Sequence, residues 1–317
     1  MKTTRRGKRM RRILRRPFEW LGIVLGLLVF TNLPHRALLA VCDFAGAVMF
    51  AFDRRGRDLA LFNLRVIEGV YPPERDFRAA HGTPPTRRET LILKRSYRNM
   101  ARTIGHAFWT CRNARARVAA VGEMSARGKA FLAAHRPAVT VSGHIGCWEI
   151  LSQLAFLEGH RMMSVAKDIG TAGMTKLLMR GIKDGKSLGL LVDQVVRPED
   201  GGVWVRFWGR PMPVSAAPAF FAAKGKAPVA VAWSRPLKNG HYRCEVVATY
   251  PPEAARDVWG LTQACLRDLE RVIRRHPSCW VLNYRYFRKT PKEAEREQLL
   301  EREAKAAARG HAREVPS

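Results

Sequence analysis

His144 is followed five positions later by Glu149, within the run V-T-V-S-G-H-I-G-C-W-E-I at residues 139–150. A neutral imidazole held in one tautomer by a carboxylate can take a proton from an alcohol near neutral pH. That is the central need of acyl transfer to a hydroxyl. Of the nine histidines, only His144 has an acid at this spacing. With 27 Asp+Glu in 317 residues, chance alone supplies such a pair about once per chain. Its setting has to add the rest. A second candidate is Asp193, which with Gln194 closes an apolar run at 187–192 and could bind a substrate hydroxyl, cap a helix or pair with an arginine. Arg206 sits among large apolar residues in the alternating stretch 203–208, which suits either a lipid-facing groove or a core strand. Near the end, W-V-L-N-Y-R-Y-F-R at 280–288 sets Arg285 and Arg288 among aromatics, a pattern compatible with nucleic acid or with a phosphorylated headgroup.

The elements that must carry these groups read as follows. Residues 18–117 are mostly helical, with one amphipathic helix ending at Tyr71-Pro72-Pro73, a loop at 76–88, and a second helix at 89–110. From about Val118 short apolar runs alternate with helical patterns, the signature of an α/β sheet flanked by helices. Strands are expected at 138–142, 161–166, 187–192, 203–208, 229–234 and 242–247, and helices at 148–158, 173–183, 216–224 and 259–276. His144 then lies just past a strand and Glu149 in the first turn of the next helix, where open α/β sheets place their sites. Gly143 and Gly146 permit a tight turn there, and backbone N–H groups near Gly146 could meet a developing oxyanion.

Charge narrows the partners. Fifty-six Lys+Arg against 27 Asp+Glu give a net charge of +29, a surface that attracts a polyanion, an anionic lipid or an acidic protein. The six cysteines form no C-x-x-C pair, so neither a zinc module nor a disulfide framework is expected, and no metal site is assigned. No RNA-recognition signature accompanies the charge, which counts against a nucleic-acid-binding protein. No G-x-S-x-G elbow is present, which counts against a serine hydrolase. Nine basic residues within positions 2–16 precede two apolar runs, 18–33 and 37–52. Each is marginal as a span, so a membrane anchor or an interfacial helix pair is expected, with the basic end cytoplasmic. Residues 1–55 are thus read as a membrane-anchoring region, 56–290 as the catalytic domain and 291–317 as a charged tail.

The order H-I-G-C-W-E, L-V-D-Q, F-W-G-R-P-M-P-V-S-A-A-P-A and W-V-L-N-Y-R-Y-F is similar to that of the lauroyl/myristoyl late acyltransferases of lipid A biosynthesis. These lie within the glycerolipid acyltransferase group with its His-x4-Asp/Glu motif. The N-terminal A-L-F-N-L-R at 60–65 agrees, and the resemblance spans about residues 17–290. It implies a glycerolipid acyltransferase-like α/β fold behind an N-terminal helical membrane-associated region, at the cytoplasmic face of the cell inner membrane. It also implies transfer of a fatty acyl group from acyl carrier protein (or acyl-CoA) to a hydroxyl of an anionic glycolipid or phospholipid, with no cofactor beyond that thioester and no nucleic acid as partner. A lipid A precursor is the leading acceptor; a lysophospholipid, an aminolipid or another glycolipid is the alternative. In this resemblance His144 is the base and Glu149 its partner. Asp193, Arg180, Lys167, Arg206 and Arg285 are the expected substrate contacts. The segment between Lys167 and Asp193 is shorter than is usual in the family, and Arg180 falls within it.

Overall fold

A computed structural model of the protein describes residues 20, 22, 24–75, 77, 83–164 and 172–311. The basic stretch 2–16, the loop residues 78–82 and Lys167 lie outside them. After helical residues at 24–30, three longer helices follow: α1 (His35–Phe52), α2 (Arg54–Ile67) and α3 (Arg87–Trp109). The start of α3 is fixed by a capping box, in which Thr86 Oγ1 accepts from the Glu89 N–H and the Glu89 carboxylate accepts from the Thr86 N–H. Glu89 also forms a buried two-pronged ion pair with Arg65 of α2, at 2.7 and 3.1 Å. The guanidinium beside it lowers the Glu89 pKa to about 2.

The remaining elements are α4 (Ala114–Val121), β1 (Gly122–Met124), α5 (Ala126–Ala134), β2 (Val139–Ser142), α6 (Trp148–Leu157), β3 (Met162–Ser164), α7 (Ala172–Lys183), β4 (Ser187–Leu191), β5 (Gly202–Phe207), β6 (Arg210–Ser215), α8 (Ala217–Gly225), β7 (Val229–Pro236), β8 (Tyr242–Tyr250), α9 (Val258–Arg275) and α10 (Glu293–His311). Six strands form one sheet in the order β1-β8-β7-β2-β4-β3, in which only the β7–β8 pairing is antiparallel. This is the mixed α/β sheet flanked by helices that the alternation of short apolar runs implied.

Two expectations are corrected. The run at 203–208 does not join the large sheet. It pairs only with β6, as an antiparallel hairpin closed by Trp208-Gly209, both at positive φ, the backbone a two-residue I′-type turn requires. The sheet also gains β1 at its edge, three residues too short to show a period in the sequence.

The two faces of the sheet differ in side-chain size. Val139, Val141, Leu188, Leu190, Val229, Val231 and Trp233 pack into the larger core with residues of α8 and α9. The opposite face, toward α5 and α6, presents Thr140, Ser142, Gly189, Ala230, Ala232 and Cys244. Small side chains there leave space between sheet and helices, and this space becomes the cavity of the site.

Candidate active site

Strand β2 ends at Ser142, and the chain turns through Gly143–Cys147 into α6. Gly146 has φ +64°, and a Cβ there would collide with the carbonyl of Ser234, so only glycine fits. Ser142 pairs with Leu191 in the parallel β2–β4 register. Two residues further along each strand, His144 and Asp193 therefore stand side by side.

His144 Nδ1 lies 2.7 Å from Asp193 Oδ1, and the His144 backbone N–H donates to Asp193 Oδ2 at 2.8 Å. Trp280 Nε1–H donates to the same Oδ2 at 2.8 Å. An ionised carboxylate only accepts, so the Nδ1 proton points to Asp193 and Nε2 carries the lone pair. Gln194 places its amide nitrogen 3.3 Å from Nε2, and the Trp148 ring meets the imidazole edge-on with centroids 4.9 Å apart. By rotating its amide, Gln194 can donate to the neutral imidazole or accept from the charged one.

The electrostatics match this arrangement. Burial alone would lower the His144 pKa, but the charge and hydrogen bond of Asp193, helped by the charge of Glu149, raise it above its ordinary value. Asp193 is fully buried, and burial works to raise its pKa; the His144 charge and the donors from His144 and Trp280 outweigh it and hold the carboxyl below the usual range.

Sequence reasoning gave Glu149 the orienting role and Asp193 a substrate contact. In the structure Asp193, not Glu149, is bonded to the imidazole. Glu149, half-buried in the first turn of α6, lines the cavity beside His144 and forms no hydrogen bond with it among the described residues. Asp193 has no exposed surface, and its oxygens are taken by His144 and Trp280. Arg206 faces away from the cavity, bonded through Nε to Glu303 of α10 at 2.8 Å, so its groove role is not seen. Arg285 and Arg180 are exposed and do not line the cavity. The Gly146 N–H donates to the Cys279 carbonyl at 2.8 Å, which removes it from the expected oxyanion donors. Sequence reasoning missed Trp280 as a partner of Asp193, because the two are 87 residues apart and no local pattern links them.

The loop that carries Trp280 is held from outside by α2 and α3. Ser96 Oγ donates to the Trp280 carbonyl, and Asn99 to that of Ser278. Asn63 donates to the carbonyls of Leu282 and Tyr284, and Thr103 to that of Gly146. The N-terminal helices are thus part of the scaffold of the site.

His144, Glu149 and Gln194 open onto a cavity of ≈ 1160 Å³. It extends over the small-residue face of the sheet to Met124, Phe131 and Leu132, and most of its lining is apolar. Pockets for small molecules usually span roughly 300–1,000 Å³. This one is large enough to hold a hydrocarbon chain beside His144.

Two stretches of the chain, residues 5–171 and 159–289, match the family model described as bacterial lipid A biosynthesis acyltransferase. The two stretches overlap at residues 159–171. No curated protein matches the chain significantly. A histidine held by a buried carboxylate beside a largely apolar cavity fits an O-acyltransferase, and the family match spans most of the sequence: the chain belongs to the bacterial lipid A biosynthesis acyltransferase family.

Proposed function

We propose that this O-acyltransferase moves a fatty acyl chain from a thioester of acyl carrier protein, or of CoA, to a hydroxyl of a lipid A precursor at the cytoplasmic face of the inner membrane. One observation carries the reading: Asp193 holds Nδ1 of His144, which leaves the lone pair on Nε2, and His144 and Gln194 beside it both line a largely apolar cavity. The acyl chain lies in the cavity with its thioester carbonyl at the mouth. His144 Nε2 takes the proton of the acceptor hydroxyl as its oxygen attacks that carbonyl. The tetrahedral intermediate collapses, the C–S bond breaks, and the thiolate takes the proton back from Nε2. Asp193 keeps the imidazole in its tautomer and stabilises the cation formed in between, and the charge of Glu149 adds to that stabilisation.

No acyl-enzyme is needed. The thiols beside the site are poor nucleophiles, since burial pushes both Cys147 and Cys244 up to about 12. A carrier-protein donor is supported by α7, where Lys176, Arg180 and Lys183 lie exposed at i, i+4 and i+7, while Thr175 of the same helix lines the cavity. Such a face suits an acidic partner.

Mass spectrometry of membrane lipids with and without the gene tests the reading. A lipid A species lighter by one acyl chain is expected when the gene is absent. Unchanged lipid A, with the chain lost from another lipid, overturns the acceptor assignment.

A further inference from the structure

Helix α1 is long and apolar enough to cross a bilayer, with a mean hydropathy of 1.5 over 18 residues. Its surroundings give it another posture. Only Leu38, Cys42 and Gly46 are buried, and they face α3. The outward face, from Ala40 through Val41, Phe44, Ala47, Val48 and Ala51 to Phe52, is apolar and exposed, with Phe44 72% and Phe52 83% accessible. At 1.5 Å per residue the helix is about 27 Å long. Water-soluble surfaces rarely leave so long a stripe uncovered. Arg36 stands at one end of it, and Arg54 and Arg55 at the other.

The neighbouring helix decides the orientation. α3 runs antiparallel along α1 and presents a cation at each step. Lys94 lies 5.7 Å from the Phe50 ring centroid, the Arg98 backbone packs on Gly46, and Arg102 pairs with Asp43. These three cations are spaced at i, i+4 and i+8, a row parallel to the apolar stripe. If α1 crossed the bilayer, the row would be carried from the headgroups toward the midplane, where such charges are strongly disfavoured. If α1 lies in the membrane plane, the stripe enters the acyl region along its whole length while all three cations stay at headgroup level.

We infer that α1 is an interfacial helix, lying flat in an anionic lipid surface rather than spanning it. This deepens the membrane reading of the proposed function, and it stands on the helix pair alone. The partner is a bilayer with acidic headgroups, fitted by the apolar stripe and by the arginines that bound it. One consequence concerns the site. The other side of α3 carries Ser96, Asn99 and Thr103, which hold the loops of Trp280 and His144, so the base is one helix layer, roughly 10 Å, behind the membrane-seated helix.

The test is spin-label depth in the full chain, with single labels at Val41, Phe44, Val48 and Phe52 and with exposed Cys111 changed to Ser, in phosphatidylethanolamine/phosphatidylglycerol vesicles. All four labels are expected at one shallow depth, roughly 5–10 Å below the headgroups. A label at Phe44 near the midplane with Phe52 back at an interface overturns the inference in favour of a span. Labels inaccessible to lipid overturn it in favour of a protein cover, either a second copy or residues 1–19. Acyl transfer by each labelled protein in detergent reports the fold and tests the catalytic reading separately. A second variant, Phe44→Asp/Phe52→Asp, is expected to weaken vesicle binding at least tenfold with its melting temperature unchanged; unaltered binding counts against the inference.

Discussion

The indole N–H of Trp280 donates to Asp193 Oδ2 at 2.8 Å, across 87 residues of sequence. Because that oxygen also accepts the His144 backbone N–H, the carboxylate cannot rotate freely, and Oδ1 stays on His144 Nδ1. Under the proposed mechanism Trp280 would then act as a positioning residue for His144. Removing one donor from a buried acceptor typically costs about 1–3 kcal/mol, roughly 5–150-fold in a rate that depends on it.

For Trp280→Phe, which keeps an aromatic ring on Tyr286, kcat per folded molecule should fall by roughly 5–150-fold with KM little changed. Steady-state kinetics beside a thermal melt make the check. A lower melting temperature with unchanged kcat would leave Trp280 a packing role only.

The pH profile follows from the raised pKa of His144. The base must be neutral, so kcat/KM should climb with pH along a limb centred above the ordinary imidazole value of about 6.5. Asp193, held below the usual carboxylate range, stays ionised throughout that limb. Glu149→Gln removes one of the charges that raise His144, so its limb should move to lower pH. A limb that does not move would show that Glu149 has no electrostatic influence on the base.

How much of this was legible in the sequence depends on distance along the chain. His144 was readable as a strand-end residue because an apolar run, two glycines and a helical pattern all lie within a dozen positions. Its partner was not. Glu149 is close in sequence, but the start of α6 leaves it on the cavity wall. Asp193 is 49 residues away and reaches the imidazole only because β2 and β4 are neighbours in parallel register. Nothing local to either segment states that adjacency. The same limit explains β5: its alternation predicted a strand correctly, while its separation from the large sheet depends on pairing with β6. The helices 89–110 and 259–276 were readable to within a few residues because their apolar periods are long; the structure adds the caps Thr86 and Asp257 that set their starts.

Charge gives a prediction about the donor. With a net charge of +29 and a basic face on α7, the KM for an acyl carrier protein thioester should rise severalfold between about 50 and 300 mM salt. An acyl-pantetheine donor, which lacks the acidic protein, should show little change. Equal salt dependence for both donors would remove the carrier from the electrostatic account.

The claim that Asp193 holds the catalytic base is tested most directly by measuring acyl transfer for Asp193→Asn and Glu149→Gln side by side, with folding verified for both. Loss of the buried carboxylate should lower kcat by roughly 10²–10⁴-fold, since the imidazole loses both its tautomer and the stabilisation of its cation. Loss of the half-buried Glu149 charge should change it by no more than about fivefold. The reverse order, or an Asp193→Asn enzyme within fivefold of wild type, would contradict the His144–Asp193 pair.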